Sequence, residues 1–331
     1  MARHPYLPQA FRHRIANMPR LQRALWEVEA AMVAALWGLL RLLDPDRAVR
    51  AMRAVMSRIG PRLAKSRNIR DNLAIMFPEQ TPEERAALER EIWGYWGAHF
   101  ADYAHLDRII AEPQRFEVVQ RVPVDVVSHG GRPAVFVAAH LANVVLTVLA
   151  GKRVGVSGSV IFQRDSNPAV QRMIERRRSQ IGIDLVPSEG SMRALVRELA
   201  SGRSVGLVVD HRYDIGEMVP FFGVETPTLT TPARLALRFD CELIPVRLER
   251  VSDGARFRIT FHEPVTPSDP TRSRSEQALD MTRQVNALFE QWIRERPGQW
   301  ITVKRRWPRR ESVGLPAESP PSAGVAFLER A

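Results

Sequence analysis

From about residue 116 onward, short apolar runs of strand length alternate with stretches of helical length. That alternation constrains the fold more than any other feature of the chain. Ala134 to Ala139 (AVFVAA) and Val205 to Val209 (VGLVV) read as buried strands, and Val160 to Phe162, Leu243 to Val246 and Phe257 to Phe261 as further ones. Ala169 to Gln180, Ser191 to Leu199 and Pro232 to Arg238 carry helical patterns between them. Ser275 to Arg296 is a long amphipathic helix with Leu279, Val285, Leu288, Phe289 and Ile293 as its apolar positions. A strand covered on both faces is apolar without interruption, so the expected architecture is an α/β fold with helices flanking the sheet.

The first 115 or so residues read differently, as a helical region. Asp44-Pro45-Asp46 breaks the first helix, and Thr81-Pro82-Glu83-Glu84 starts another, with Thr as cap, Pro in the first turn and acids toward the positive end of the dipole. Leu88, Ile92, Trp96, Phe100 and Tyr103 then recur at near-helical spacing, as a core-facing stripe does. Ala30 to Leu40 (AAMVAALWGLL) is continuously apolar but shorter than the roughly 20 residues a membrane span needs. At helical pitch, Leu21 to Leu43 suits a helix lying at an interface or docked on its own protein. Arg12, Arg14, Arg20 and Arg23 before it and Arg47, Arg50 and Arg53 after it favour a membrane surface. No small-residue cleavage site follows the apolar stretch, so no clean signal peptide is expected. The expected organisation is a membrane-associated helical region over 1–60, an α/β domain over 61–308, and a disordered Pro, Ser, Glu and Gly-rich tail over 309–331.

Lys plus Arg number 48 against 37 acids, a net charge of +11, and lysine occurs only at Lys65, Lys152 and Lys304. Such a surface attracts polyanions, but no nucleic-acid-binding motif accompanies the charge, so no nucleic-acid partner is expected. The lone Cys241 excludes an intrachain disulfide and sits in an apolar-leaning stretch, where it packs. Neither a phosphate loop, a dinucleotide glycine fingerprint nor a metal-ligand spacing occurs, so no cofactor and no metal are expected. Gly202-Arg203-Ser204-Val205-Gly206 matches a nucleophile elbow only in letters, because Ser204 precedes its strand instead of following one.

Three polar groups of residues stand at strand ends, where ligands gather in open α/β sheets. His140 ends the first strand, and an imidazole there can act as a base near neutral pH. Asp210-His211-Arg212 ends VGLVV, and Gln163-Arg164-Asp165-Ser166-Asn167-Pro168 follows Val160-Ile161-Phe162. Arg164 can grip a phosphate through its guanidinium fork. In Val219-Pro220-Phe221-Phe222-Gly223 the Phe pair either plugs back into the core or forms an apolar lip for a fatty chain.

Taken together, several segments resemble the bacterial lysophospholipid and lipid A late acyltransferase family. They are Asn68 to Pro78 (NIRDNLAIMFP), Ala138 to Asn143 (AAHLAN), Asn167-Pro168 with Arg176-Arg177-Arg178, Pro187 to Leu195 (PSEGSMRAL), Val209 to Gly223 and the C-terminal WITVKRRWP ending at Pro308. The resemblance implies a glycerol-phosphate-acyltransferase-like mixed sheet flanked by helices. It implies transfer of an acyl chain from acyl carrier protein to a hydroxyl of a membrane glycolipid such as a lipid A precursor. The expected location is the cytoplasmic face of the cell inner membrane. His140 becomes the general base, and Asn143, Arg164, Asn167, Glu189, His211, Phe221 and Phe222 the substrate contacts. The chain departs from the pattern where the family reads His-x-x-Asn-Trp-Glu: Val144-Val145 replaces Trp-Glu, and Gln163 stands where an arginine is usual. Either another acid supports His140, Asp210 first and Asp165 second, or the chain binds lipid or carrier protein without efficient transfer.

Overall fold

The computed structural model describes residues 18–121, 132–162, 164–182, 184–187, 191–301 and 303–308, so the tail expected over 309–331 lies outside the described residues. The N-terminal helices are α1 (Pro19–Leu40), α2 (Pro45–Ile59), α3 (Ser66–Met76), α4 (Pro82–Ala104) and α5 (Leu106–Ala111). Their ends follow the sequence chemistry. Asp44 caps α2 by accepting from the Arg47 N–H, and Thr81 with Glu84 closes a reciprocal capping box on α4. Met52, Met56, Ile92 and Trp93 are buried between α2 and α4.

Helix α1 is fixed to this bundle by one face. Trp37 stacks on Tyr103, and Arg41, just past its end, forks onto both Asp107 oxygens at 2.7 and 2.9 Å. Its other face exposes Leu21, Val28, Met32, Leu36 and Leu39, continued by Leu43, one stripe at helical spacing. No helix among the described residues is long and apolar enough to cross a membrane.

The α/β part holds β1 (Phe116–Gln120), β2 (Ala134–Ala138), α6 (Thr147–Arg153), β3 (Gly158–Phe162), α7 (Pro168–Arg178), β4 (Asp184–Pro187), α8 (Ser191–Ala200), β5 (Ser204–Val208), β6 (Glu217–Phe221), β7 (Val224–Thr228), α9 (Thr231–Phe239), β8 (Glu242–Arg250), β9 (Phe257–Phe261) and α10 (Arg274–Glu295). Seven strands form one mixed sheet in the order β1-β9-β8-β2-β5-β3-β4. β8, β2, β5, β3 and β4 run parallel, whereas β9 pairs antiparallel with β8 and parallel with β1. The chain leaves β2 toward β3 on one side and leaves β5 toward β8 on the other. A crevice at the carboxyl ends of β2 and β5 follows from that divergence.

The expected lip Phe221-Phe222 is corrected by the structure. β6 and β7 form a hairpin whose two-residue turn, Phe222-Gly223, has φ of 51° and 71°, the left-handed pair of a type I′ turn. Both rings are buried, Phe221 against Trp307 and Trp300 and Phe222 against Phe77 and Trp307. An aromatic pair on a Pro/Gly turn gains more from this packing than it would in water.

Candidate active site

The register of β2 on β5 places the site. Val135 faces Val205 and Ala138 faces Val208, an offset of 70 that the Val209 N–H to Ala138 carbonyl bond extends beyond the strands. Two residues further, the same offset brings His140 beside Asp210. The His140 Nδ1 lies 2.6 Å from one Asp210 carboxylate oxygen, and the Trp300 indole N–H donates to the other at 2.7 Å. A carboxylate only accepts, so Nδ1 is the protonated nitrogen and Nε2 carries the free lone pair. Asp210 is fully buried. Burial by itself raises its pKa. The charge and hydrogen bond of His140, with help from His211 and Trp300, outweigh burial and hold the carboxyl well below its ordinary range.

Three further contacts fix His140. Residues 299–301 run antiparallel beside it: the Ile301 N–H donates to the His140 carbonyl at 3.1 Å, and the Ala142 N–H to the Gln299 carbonyl at 2.8 Å. Ala142 is held at φ 47°, a left-handed conformation that disfavours a residue with a Cβ. The His211 ring stacks on His140 at 3.7 Å between centroids and 14° between planes. Burial and the neighbouring His140 push the His211 pKa well down, so this second imidazole is neutral.

Behind the loop, the buried Asn143 donates to Asp102 at 3.2 Å, and Arg250 donates to the same carboxylate oxygen. Asn143 thus ties the loop to α4. Val145 lines a cavity of about 1070 Å³ that opens at His140. On one face of the sheet its wall runs from Ala138 and Val208, through Phe136, Gly206 and Val160, to Ser204 and Gly158. That is five residues of strand, roughly 16 Å at about 3.3 Å per residue. Met192, Leu195, Val148 and Ile181 also line it. Most of this wall is apolar, the lining a fatty chain needs.

The other expected contacts scatter. Arg164 is exposed, as is Asp165, which accepts from the Asn167 N–H at 2.8 Å. Asn167 caps α7 and donates to the Trp26 carbonyl and to Glu29, anchoring α1 to the sheet domain. Glu189 and Gln163 lie outside the described residues. Of the expected set, His140 and His211 line the cavity, with Asp210 directly behind. Arg212, which closes the strand-end group Asp210-His211-Arg212, lines it too, as do His99, Lys65, Asn68, Lys304 and Arg305, to which the sequence reading gave no site role. Asn68, Lys304 and Arg305 lie in the segments NIRDNLAIMFP and WITVKRRWP, and rarity is a second signal: two of the three lysines in an arginine-dominated chain line this cavity.

The ligating atoms of His140, Asp210 and His211 lie within 4.8 Å of one another, close enough to suggest a metal centre. The geometry fits one poorly. Both Asp210 oxygens and His140 Nδ1 are engaged, and two nearly parallel stacked rings cannot both aim in-plane lone pairs at one ion.

Two of the family-like sequence segments meet beside the site. Asn68 donates to the Val303 carbonyl, and Asn72 donates to the Lys304 carbonyl while accepting from the Arg306 N–H. NIRDNL is therefore the clasp that seats WITVKRRWP. No curated protein matches the chain. A family profile, described as bacterial lipid A biosynthesis acyltransferase, matches residues 19–309. The match runs through the helical bundle, the sheet and the clasped C-terminal segment, and the chain belongs to the bacterial lipid A biosynthesis acyltransferase family.

Proposed function

We propose that the chain moves a fatty acyl group from acyl carrier protein to a hydroxyl of a membrane glycolipid of the lipid A precursor class, with His140 as general base. The observation that carries this reading is the Asp210 carboxylate on His140 Nδ1 at the mouth of the apolar cavity. Nε2 takes the proton of the acceptor hydroxyl as its oxygen attacks the thioester carbonyl. The carbon–sulfur bond then breaks, and the imidazolium returns the proton to the leaving thiolate. Asp210 holds the ring in the basic tautomer and stabilises its charged form, as the buried carboxylate does in a serine-protease triad. His211, neutral and stacked, adds no competing positive charge. The acyl chain lies along the sheet face below His140.

The alternative of a crippled relative draws its support from Val145 alone. Asp210 supplies an acid to the same imidazole from the neighbouring strand, which favours the active reading. The exposed stripe of α1 supports attachment to the cytoplasmic face of the inner membrane without a span.

The test is transfer of labelled acyl groups from acyl carrier protein to extracted membrane lipids. Transfer by the natural chain, abolished in His140→Ala, is the expected result. Full activity in His140→Ala would remove His140 from the chemistry, and no transfer by the natural chain would leave the reading without support.

A further inference from the structure

The end of α2 carries a surface that the proposed chemistry leaves unused. Val55, Ile59 and Leu63 are exposed there, four residues apart, and together they make an apolar stripe. Arg58, Arg62 and Arg67 are exposed around it. Arg58 donates to the Ala54 carbonyl at 2.8 Å and Arg62 to the Arg58 carbonyl, and neutral carbonyls hold these guanidiniums without cancelling their charge. No carboxylate pairs with any of the three among the described residues, whereas the neighbouring Arg70 and Arg305 have Glu89 and Asp71. The stripe adjoins the mouth of the cavity. Gly60–Arg62 is a single tight turn, and the Ser66 hydroxyl fastens it by donating to the Gly60 carbonyl at 2.9 Å while accepting from the Trp93 indole at 2.7 Å. Lys65, two residues past Leu63 and so at most about 7 Å along the chain, lines the cavity, as does Asn68. Asn68 holds the Val303 carbonyl, in the segment whose Ile301 N–H donates to the His140 carbonyl. The stripe therefore stands at the His140 end of the cavity, away from Ser204 and Gly158.

We propose that Val55, Ile59 and Leu63, with Arg58, Arg62 and Arg67, form the docking surface for acyl carrier protein; this rests on the reading of the site as an acyltransferase supplied by that carrier. The composition fits a protein partner, since an apolar centre rimmed by arginine is how interfaces between proteins are built. The carrier is acidic, and a helix with carboxylates around a few aliphatic side chains complements the patch in both charge and polarity. A bilayer fits it less well. Three aliphatic side chains among three guanidiniums bury little apolar area, whereas α1 offers a longer stripe of larger ones. Docking here seats the carrier beside the mouth, so its prosthetic arm enters the cavity past Lys65 and Asn68 and brings the thioester to His140. The uncompensated charge also steers the carrier toward the mouth before contact.

The experiment uses the full-length protein and four double variants. Arg58→Glu/Arg62→Glu reverses the charge, and Arg58→Lys/Arg62→Lys keeps it. Val55→Ser/Ile59→Ser removes the apolar stripe, and Arg238→Glu/Arg283→Glu makes the same charge change on α9 and α10. Affinity for fluorescently labelled acyl carrier protein is read by anisotropy. Transfer is measured from acyl carrier protein and from acyl-pantetheine, which bears the same thioester without the protein. Kd and KM for the carrier should rise about tenfold or more in the Arg58→Glu/Arg62→Glu variant and about threefold or more in the Ser variant, with kcat changed less than about threefold. The Lys variant should keep most of the affinity, the α9–α10 variant should lose less than about threefold, and transfer from acyl-pantetheine should stay within about twofold throughout. Carrier affinity unchanged in the Arg58→Glu/Arg62→Glu variant, or lost equally in the α9–α10 variant, would overturn the docking surface. So would a Ser variant that binds the carrier normally but phosphatidylcholine vesicles more weakly, because the stripe would then belong to the bilayer. Arginine-dependent carrier binding by a chain that transfers nothing would sink the proposed function while leaving the docking surface standing.

Discussion

Asp210 is a carboxylate whose partners are both supplied by other elements, His140 from β2's end and the Trp300 indole from the C-terminal segment. Asp210→Asn keeps the shape and removes the charge, and an amide can donate to Nδ1 and so select the wrong tautomer. In the serine-protease triad the equivalent change costs about 10⁴ in turnover. A loss of roughly 10³–10⁴ in kcat with KM changed little is expected here, read from steady-state transfer rates; a loss confined to KM would place Asp210 in substrate binding instead. Gly206 sits midway down the cavity wall, where an added Cβ would stand 3.0 Å from Val160. Gly206→Val therefore shortens the cavity, and mass spectrometry of the transferred chains should show a shift to shorter acyl groups. Both positions differ in how far they could be read from the sequence. Asp210 was legible because it ends an apolar run that parallels the one ending at His140, and parallel neighbours bring such ends together. Trp300, Lys65 and Lys304 were not, because the clasp that delivers them joins segments more than 200 residues apart and leaves no periodicity to detect.

Among the helices and strands, close approach decides what a substitution does. Gly97 on α4 crosses α2 so tightly that a Cβ there would lie 2.4 Å from the Met52 carbonyl oxygen, backbone that cannot rotate aside. Gly97→Ala must push α2 off α4. Overpacking of this kind costs about 1–3 kcal/mol, measurable as a lower urea midpoint at unchanged m-value. Helix α1 makes the opposite case, since Val28, Met32, Leu36 and Leu39 are exposed. Met32→Lys with Leu39→Lys should leave the urea midpoint within about 0.5 kcal/mol of the natural chain. The same pair should weaken sedimentation with anionic vesicles at least tenfold; undiminished binding would place the membrane contact elsewhere. The helices and the strands at 134, 160, 205, 243 and 257 were legible because continuous apolar runs and capping residues declare themselves locally. The β6–β7 hairpin was not: Pro220 and Gly223 imitate a loop, and the burial of Phe221 and Phe222 depends on Trp300 and Trp307, which arrive from the far end of the chain.

At the level of the whole molecule, buried histidines make the fold sensitive to acid before its carboxylates do. Burial, with nearby arginines adding to it, lowers the His99 pKa to about 3 and the His262 pKa to about 4, and burial lowers His105 as well. An unfolded histidine binds its proton near pH 6.5. Between that value and the folded pKa the unfolded chain therefore holds more protons than the native one, and stability falls as pH falls. The contribution is complete above about pH 6.5 and declines by up to about 1.4 kcal/mol per pH unit for each histidine held neutral. The ion-paired carboxylates act in a lower window. Asp107, bonded to Arg41, has its pKa lowered to about 2, so its contribution is present above the ordinary aspartate value near 3.8 and is lost only below it. Urea unfolding at pH 7.5, 6.5, 5.5 and 4.5 should show stability flat over the first step and falling over the next two. His99→Phe keeps the ring against Tyr103 and cannot take a proton, so its curve should be shallower by about 1 kcal/mol per unit between pH 6.5 and 4.5. Parallel curves for the two proteins would mean that His99 is not held neutral, and that the slope belongs to the carboxylates.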